Sequence, residues 1–109
     1  MAELIVSPLA RSDMREIGDY ISRDLRNPGA ALRLIQRLHE AVLPLRDFPE
    51  MGTALQINGK QNVPYRYLVC GSYLIFYHLS EDAVHIDRVL YGRRDYMALL
   101  FGDELEEEE

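Results

Sequence analysis

The stretch that decides the fold is YRYLVCGSYLIFYHLSEDAVHIDRVLY, residues 65–91. It holds three runs rich in aromatic and β-branched residues, the composition typical of strands. Short breaks at Gly71-Ser72 and Ser80-Glu81-Asp82 separate these runs. Because breaks this short join neighbouring antiparallel strands, the stretch predicts a three-stranded β-meander.

Two arginines disturb the alternation expected of these strands. Arg66 would share a face with the apolar residues two and four positions further on, and Arg88 lies between Ile86 and Leu90 on one side of its strand. A sheet with one buried and one solvated face shows a cleaner division than this. Either a β-bulge shifts the register or both faces of the sheet are partly buried.

Upstream of the meander, the period changes to that of helices. Ser7-Pro8 and Asn27-Pro28 each combine a capping side chain with proline at the first helical position. Two apolar stripes follow at helical spacing, the first at Ala10, Met14, Ile17, Ile21 and Leu25 and the second at Ala31, Ile35, Leu38, Val42 and Leu45. The gap of about two residues between the two predicted helices, 26 and 27, predicts an antiparallel helical hairpin.

The flanking segments complete an α+β fold. ELIV, residues 3–6, predicts an N-terminal strand, and residues 54–57 predict a fourth strand of the meander. Pro44 is expected to bend or end the second helix because it cannot donate to the helical ladder. Phe48 is expected to plug the end of the hairpin.

Composition and charge predict one cytoplasmic domain over residues 1–102 with an acidic, disordered tail over 103–109. The tail holds six of the eighteen acidic residues, which leaves twelve acidic and twelve basic residues in the domain, eleven of the latter arginine. Neither a signal peptide nor an apolar run of about 20 residues is present, which argues against export and a membrane partner. The lone Cys70 excludes an internal disulfide, and no metal or cofactor is indicated.

The order of elements and three motifs resemble the RelE/ParE superfamily of bacterial toxins. The motifs are Tyr65-Arg66, the hairpin Gly71-Ser72-Tyr73, and RVLYGRRD at 88–95. The resemblance covers residues 3 to 101 and implies the toxin of a type II toxin–antitoxin, or plasmid stabilisation, module. Its implied partner is an antitoxin encoded beside it, with a homodimer or a heterotetramer with the antitoxin as the assembly.

The superfamily implies two alternative activities. RelE-type members are ribosome-dependent ribonucleases that cut mRNA. By this resemblance Arg66 would match a transition-state arginine, and Arg88 or Arg93 a second cation. Tyr96 would match a C-terminal aromatic residue, and His85 could act as acid or base because imidazole titrates near neutrality. The only lysine, Lys60, and the neutral charge of the domain depart from this lysine-rich type.

ParE-type members instead poison DNA gyrase, which requires a binding surface and no proton transfer. GRRDYMALLF, residues 92–101, resembles the basic turn and apolar stretch with which such members end. The partner-binding residues that this implies are Arg93, Arg94, Tyr96, Met97, Leu100 and Phe101. Gyrase inhibition is therefore the first expectation, mRNA cleavage the second, and an inactive or antitoxin-binding-only member of the fold the third.

Structural roles compete with these assignments. Arg66 could pair with a helix carboxylate such as Asp19 or Glu16, and Arg88 could be a structural arginine of the sheet. Arg93 and Arg94 could belong to an ordinary charged turn. The stretch 97–101 could be a closing helix that packs on the sheet face left open by the hairpin.

Overall fold

The structure, a computed structural model, describes residues 2–56, 64–92 and 100. Its helices and strands follow the predicted order. Strand β1 (Glu3–Val6) precedes helix α1 (Pro8–Asp19), a π-helical turn (Tyr20–Asp24), helix α2 (Pro28–Val42) and a 3₁₀ turn (Leu43–Arg46). Four strands follow, β2 (Thr53–Ala54), β3 (Tyr65–Cys70), β4 (Tyr73–Leu79) and β5 (Ala83–Tyr91).

Both helices begin where the sequence predicts. The Ser7 hydroxyl accepts a hydrogen bond from the Ala10 N–H at 2.9 Å, and the Asn27 side-chain oxygen accepts one from the Ala30 N–H at 3.1 Å. Each cap satisfies a backbone donor of the first turn that has no partner within the helix. Proline follows both caps, where its missing N–H costs no hydrogen bond.

The helix ends are only partly as predicted. Helix α2 stops at Val42 and tightens into the 3₁₀ turn that contains Pro44, which confirms the predicted stop. Helix α1 instead widens into the π-helical turn, which the stripe of apolar residues did not indicate. Leu25 ends that stripe and is 56% exposed, and Phe48 is 66% exposed. The prediction that Phe48 plugs the end of the hairpin is therefore wrong.

The predicted meander is confirmed and forms the middle of a mixed five-stranded sheet of order β1-β5-β4-β3-β2. Strands β3, β4 and β5 pair antiparallel in sequence, and β2 adds an antiparallel edge strand of two residues. Strand β1 pairs parallel with β5 through Glu3–Val6 against Ala83–Ile86. Since β5 continues to Tyr91, its last five residues extend past the partner strand.

A β-bulge on β5 resolves the disturbed alternation. Phe76 pairs with Arg88 whereas the next residue, Tyr77, pairs with Ile86, so Asp87 is the extra residue on β5. The bulge reverses the face on which later residues of β5 lie. Val89 can therefore join the core under the helices, although it is three positions from the core residue Ile86.

Both faces of the sheet are partly buried. The main core lies between the helical hairpin and the sheet, and its fully buried members include Ala10, Leu38, Leu45 and Tyr77. A smaller cluster of Leu55, Phe76 and Leu90 is a separate core, and Leu100 packs against it. Leu100 therefore covers part of this second cluster.

Candidate functional site

Arg88 is held by a buried carboxylate on helix α1. Its Nε and Nη2 donate to Asp13 Oδ2 and Oδ1 at 2.8 and 2.9 Å. This is a bidentate ion pair, which suits the planar guanidinium. The side chains are 18% exposed for Arg88 and 8% for Asp13. The hydrogen bonds that Arg88 donates to Asp13 raise the pKa of Arg88, so the guanidinium stays charged. This pair has the burial and geometry of a structural ion pair.

The same carboxylate closes the open edge of β5. Because β1 ends at Val6, no described strand pairs with the outward backbone groups of the later residues of β5. Asp13 Oδ2 accepts the Val89 N–H at 2.9 Å, and the Ser7 hydroxyl donates to the Asp87 carbonyl at 2.9 Å. Side chains at the start of α1 therefore bond the backbone of β5 in place of a neighbouring strand. These bonds hold Arg88 in position.

Arg66 is held by backbone carbonyls and not by the helix carboxylates considered above. Its Nη1 donates to the carbonyls of Glu50 and Gly52 at 3.1 and 2.9 Å. The neighbouring Tyr77 hydroxyl donates to the Pro49 carbonyl and accepts the Gly52 N–H, both at 2.9 Å. Arg66 and Tyr77 together pin the turn at residues 49–52 to the sheet.

His85 belongs to a polar network that the sequence did not indicate. Its Nε2 lies 2.9 Å from the Ser80 hydroxyl, and its ring stacks on that of His78 with centroids 4.6 Å apart. His78 Nδ1 lies 2.6 Å from Asp87 Oδ2. The register pairing of His78 with His85 and the bulge at Asp87 bring these groups together. Only the position of the bulge could have revealed that Asp87 faces His78.

The structure does not bring Arg66 and Arg88 into one cluster. They lie on β3 and β5 with β4 between them, which separates their strands by about 10 Å. The predicted site residues Arg93, Arg94, Tyr96, Met97 and Phe101 lie outside the described residues. Leu100 is described, and it packs on the second hydrophobic cluster.

Within the described ranges, no group of three or more His, Cys, Asp or Glu side chains is arranged to hold a metal ion. No helix in the same ranges is both long and apolar enough to cross a membrane.

Comparison with known proteins identifies the class as a toxin of a type II toxin–antitoxin system. A family model described as "ParE toxin of type II toxin-antitoxin system, parDE" matches residues 4–96. The chain belongs to the ParE toxin family, within the RelE/ParE superfamily. No curated protein matches it in sequence.

One solved structure shows the same fold, and two others are less similar to this chain. A chain of the chromosomal ParDE toxin–antitoxin system from P. aeruginosa superposes with a TM-score of 0.70 at 21% identity, covering 84% of this chain and 96% of that one. The RelB-RelE antitoxin–toxin complex from Methanococcus jannaschii gives 0.48 at 15% identity, covering 89% and 98%. YafQ from E. coli strain BL21(DE3) gives 0.46 at 19% identity, covering 94% and 100%.

Proposed function

We propose that this toxin inhibits DNA gyrase by binding it, and that a cognate antitoxin neutralises it in the cytoplasm. Membership of the ParE family supports this activity over that of the RelE type. The basic turn and apolar end at residues 92–101 are the proposed contact with gyrase. Arginine and aromatic side chains are enriched among the residues that dominate binding energy at interfaces.

The observation that carries the proposal is the engagement of Arg88 by Asp13. Cleavage of RNA through its 2′-hydroxyl needs cations that face the phosphate as negative charge builds on it. Nε and Nη2 of Arg88 already donate to the buried carboxylate of Asp13, and Arg66 donates to backbone carbonyls. Using Arg88 on RNA would leave Asp13 as an uncompensated buried charge, which is costly. A gyrase inhibitor makes no such demand on either residue.

A second candidate, ribosome-dependent mRNA cleavage, is favoured by the network around His85. Asp87 orients His78 as carboxylates orient the histidines of general bases. His85 adds a second imidazole beside it. Two imidazoles could supply the acid and the base that phosphodiester cleavage requires. Arg88 lines a pocket together with Asp87, but its guanidinium is already paired with Asp13, and this candidate therefore ranks second.

Induced expression in a bacterial host separates the two activities. The proposal predicts chromosomal breaks and an SOS response while transcripts stay intact. Cuts at fixed codon positions in translated mRNA, without DNA damage, would contradict it and support the second candidate.

The matched variants are Arg93→Ala/Arg94→Ala and, as control, Arg33→Ala/Arg37→Ala, which removes two exposed arginines from α2. The first pair should lose toxicity, whereas the second should keep it. Equal toxicity of both pairs would exclude the basic turn as the gyrase contact.

A further inference from the structure

Three exposed arginines lie on helix α2 and in the connection that precedes it. Arg26 lies in the connection after the π-helical turn, and Arg33 and Arg37 lie one turn apart on α2. We call these three residues the arginine face. Residues 20–42 hold four arginines and two acids, although residues 1–102 as a whole are neutral. The arginine face is therefore a positive region on a domain without net charge.

The side chains of α2 extend the arginine face in both directions. A Cβ at Gly29 would lie 3.3 Å from Arg33 Nη1 and 3.9 Å from Asn27 Oδ1, so the Arg33 guanidinium reaches back over the first turn of α2. It thus lies close to the residue that follows Arg26. A Cβ at Gly71 would lie 3.5 Å from Arg37 Nη2, so Arg37 extends to the turn between β3 and β4.

These guanidinium groups lack counter-ions within the part of the chain that the structure describes. No described carboxylate forms an ion pair with the arginine face. The arginines of the sheet differ, since Arg88 is paired with Asp13 and Arg66 donates to backbone carbonyls. Like charges one helical turn apart repel each other. An anionic partner would remove this repulsion.

Arg26 has a backbone conformation that suits glycine better than arginine. Its φ is 52°, and among the described residues it is the only one besides glycine with a positive φ. It follows Leu25, which caps the π-helical turn, and helices commonly place glycine at this position. The left-handed region costs arginine energy and costs glycine none. The chain therefore carries a guanidinium here at a conformational cost, and such costs are concentrated at functional sites.

The spacing and composition of this surface fit the backbone of a nucleic acid duplex. Arg33 and Arg37 are about 6 Å apart along the helix axis, and each strand of duplex DNA carries a phosphate about every 3.4 Å along its own axis. Guanidinium groups bind phosphate through two parallel N–H donors. Residues 21–43 contain no Phe, Tyr or Trp. Single strands are bound by stacking on aromatic side chains, and protein interfaces are enriched in them, so both fit this surface less well.

We propose that the arginine face binds the phosphate backbone of double-stranded DNA without reading its sequence. Its residues are distinct from 92–101, the proposed contact with gyrase. DNA binding is therefore a further activity, and it does not depend on gyrase inhibition.

The test is the fluorescence anisotropy of a labelled DNA duplex of arbitrary sequence, titrated with the 109-residue toxin at several salt concentrations. Arg33→Ala/Arg37→Ala removes two charges of the arginine face. Its control is Arg11→Ala/Arg15→Ala, which removes two exposed arginines one turn apart on α1. Arg26→Gly removes the third charge and relieves the backbone. Circular dichroism and thermal unfolding check the fold of each variant.

Arg33→Ala/Arg37→Ala should weaken binding more than about tenfold and reduce the slope of log K against log salt by about two, because two phosphate contacts are lost. Arg26→Gly should also weaken binding while unfolding at a higher temperature than the original chain. The control on α1 should bind like the original chain.

Equal binding of DNA by all variants, or no binding by the original chain, would overturn the proposal. Tighter binding of one of the single strands, or of an RNA duplex of the same sequence, would overturn it in favour of that nucleic acid. Tighter binding of a synthetic peptide of residues 103–109 would overturn it in favour of an acidic protein segment. None of these outcomes alters the prediction that Arg33→Ala/Arg37→Ala stays toxic, so the gyrase proposal is tested separately.

Discussion

Replacing Asp13 by alanine should be among the most destabilising single changes in this protein. The substitution leaves the Val89 N–H without a partner in a buried position, which costs about 1–3 kcal/mol. It also leaves Arg88, 18% exposed, without its counter-ion. Breaking a buried pair from one side costs about 3–5 kcal/mol in total. For a domain of this size that lowers Tm by at least about 12 °C.

The assay is urea unfolding followed by circular dichroism, with Asp19→Ala as control. Asp19 is an exposed acid at the end of the same helix, so its loss should cost less than about 0.5 kcal/mol. Asp13→Ala, Arg88→Ala and the double variant complete a cycle, in which paired residues should couple by at least about 1 kcal/mol. A cost below about 1 kcal/mol for Asp13→Ala, or additive single changes, would refute the structural role of the pair. Arg88 would then be free to act on a target.

Three further predictions concern Gly52, Tyr77 and the pKa values of two tyrosines. Gly52→Ala should destabilise the protein by about 1–3 kcal/mol, because its Cβ would lie 2.5 Å from the Tyr77 hydroxyl and 2.8 Å from the Tyr67 carbonyl. Chemical denaturation measures this, with Gly18→Ala as control because the nearest atom to a Cβ at Gly18 would be 3.9 Å away. Equal destabilisation by the two substitutions would contradict the predicted crowding at Gly52. Tyr77→Phe should cost about 1–3 kcal/mol in the same assay by leaving the buried Gly52 N–H unpaired, and an unchanged midpoint would show that the bond is dispensable. Burial raises the pKa of Tyr77 and of Tyr73 above the ordinary 10.0. Stability should therefore be complete below pH 10.0 and fall as the pH rises through the folded pKa values, because the unfolded chain ionises first. The fall should be smaller in Tyr77→Phe, and a rise in stability above pH 10.0 would contradict the sign.

The sequence predicts the elements of this fold well because local signals determine them. Ser7-Pro8 and Asn27-Pro28 specify helix starts through contacts within four residues, and the strands of the meander are joined by short turns. The π-helical turn escaped prediction since the apolar spacing up to Leu25 also fits a regular helix.

The parts of the site that depend on distant contacts were not predictable. Asp13 and Arg88 are 75 positions apart. Asp13 also lies beside the apolar stripe of its helix, a position at which an acidic residue is expected to be exposed. The parallel pairing of β1 with β5 is equally remote in sequence. The bulge was anticipated as one of two explanations, but its position at Asp87 was not. That position decides which groups meet His78, so the histidine network emerged only from the structure.

Purified gyrase gives the most direct test of the proposed activity. The toxin, freed from its antitoxin, is incubated with gyrase, ATP and relaxed plasmid, and the DNA products are resolved on a gel. We expect loss of supercoiling or accumulation of cleaved plasmid, with Arg33→Ala/Arg37→Ala as active as the original chain and Arg93→Ala/Arg94→Ala inactive. Full supercoiling in the presence of toxin that still arrests growth would contradict it.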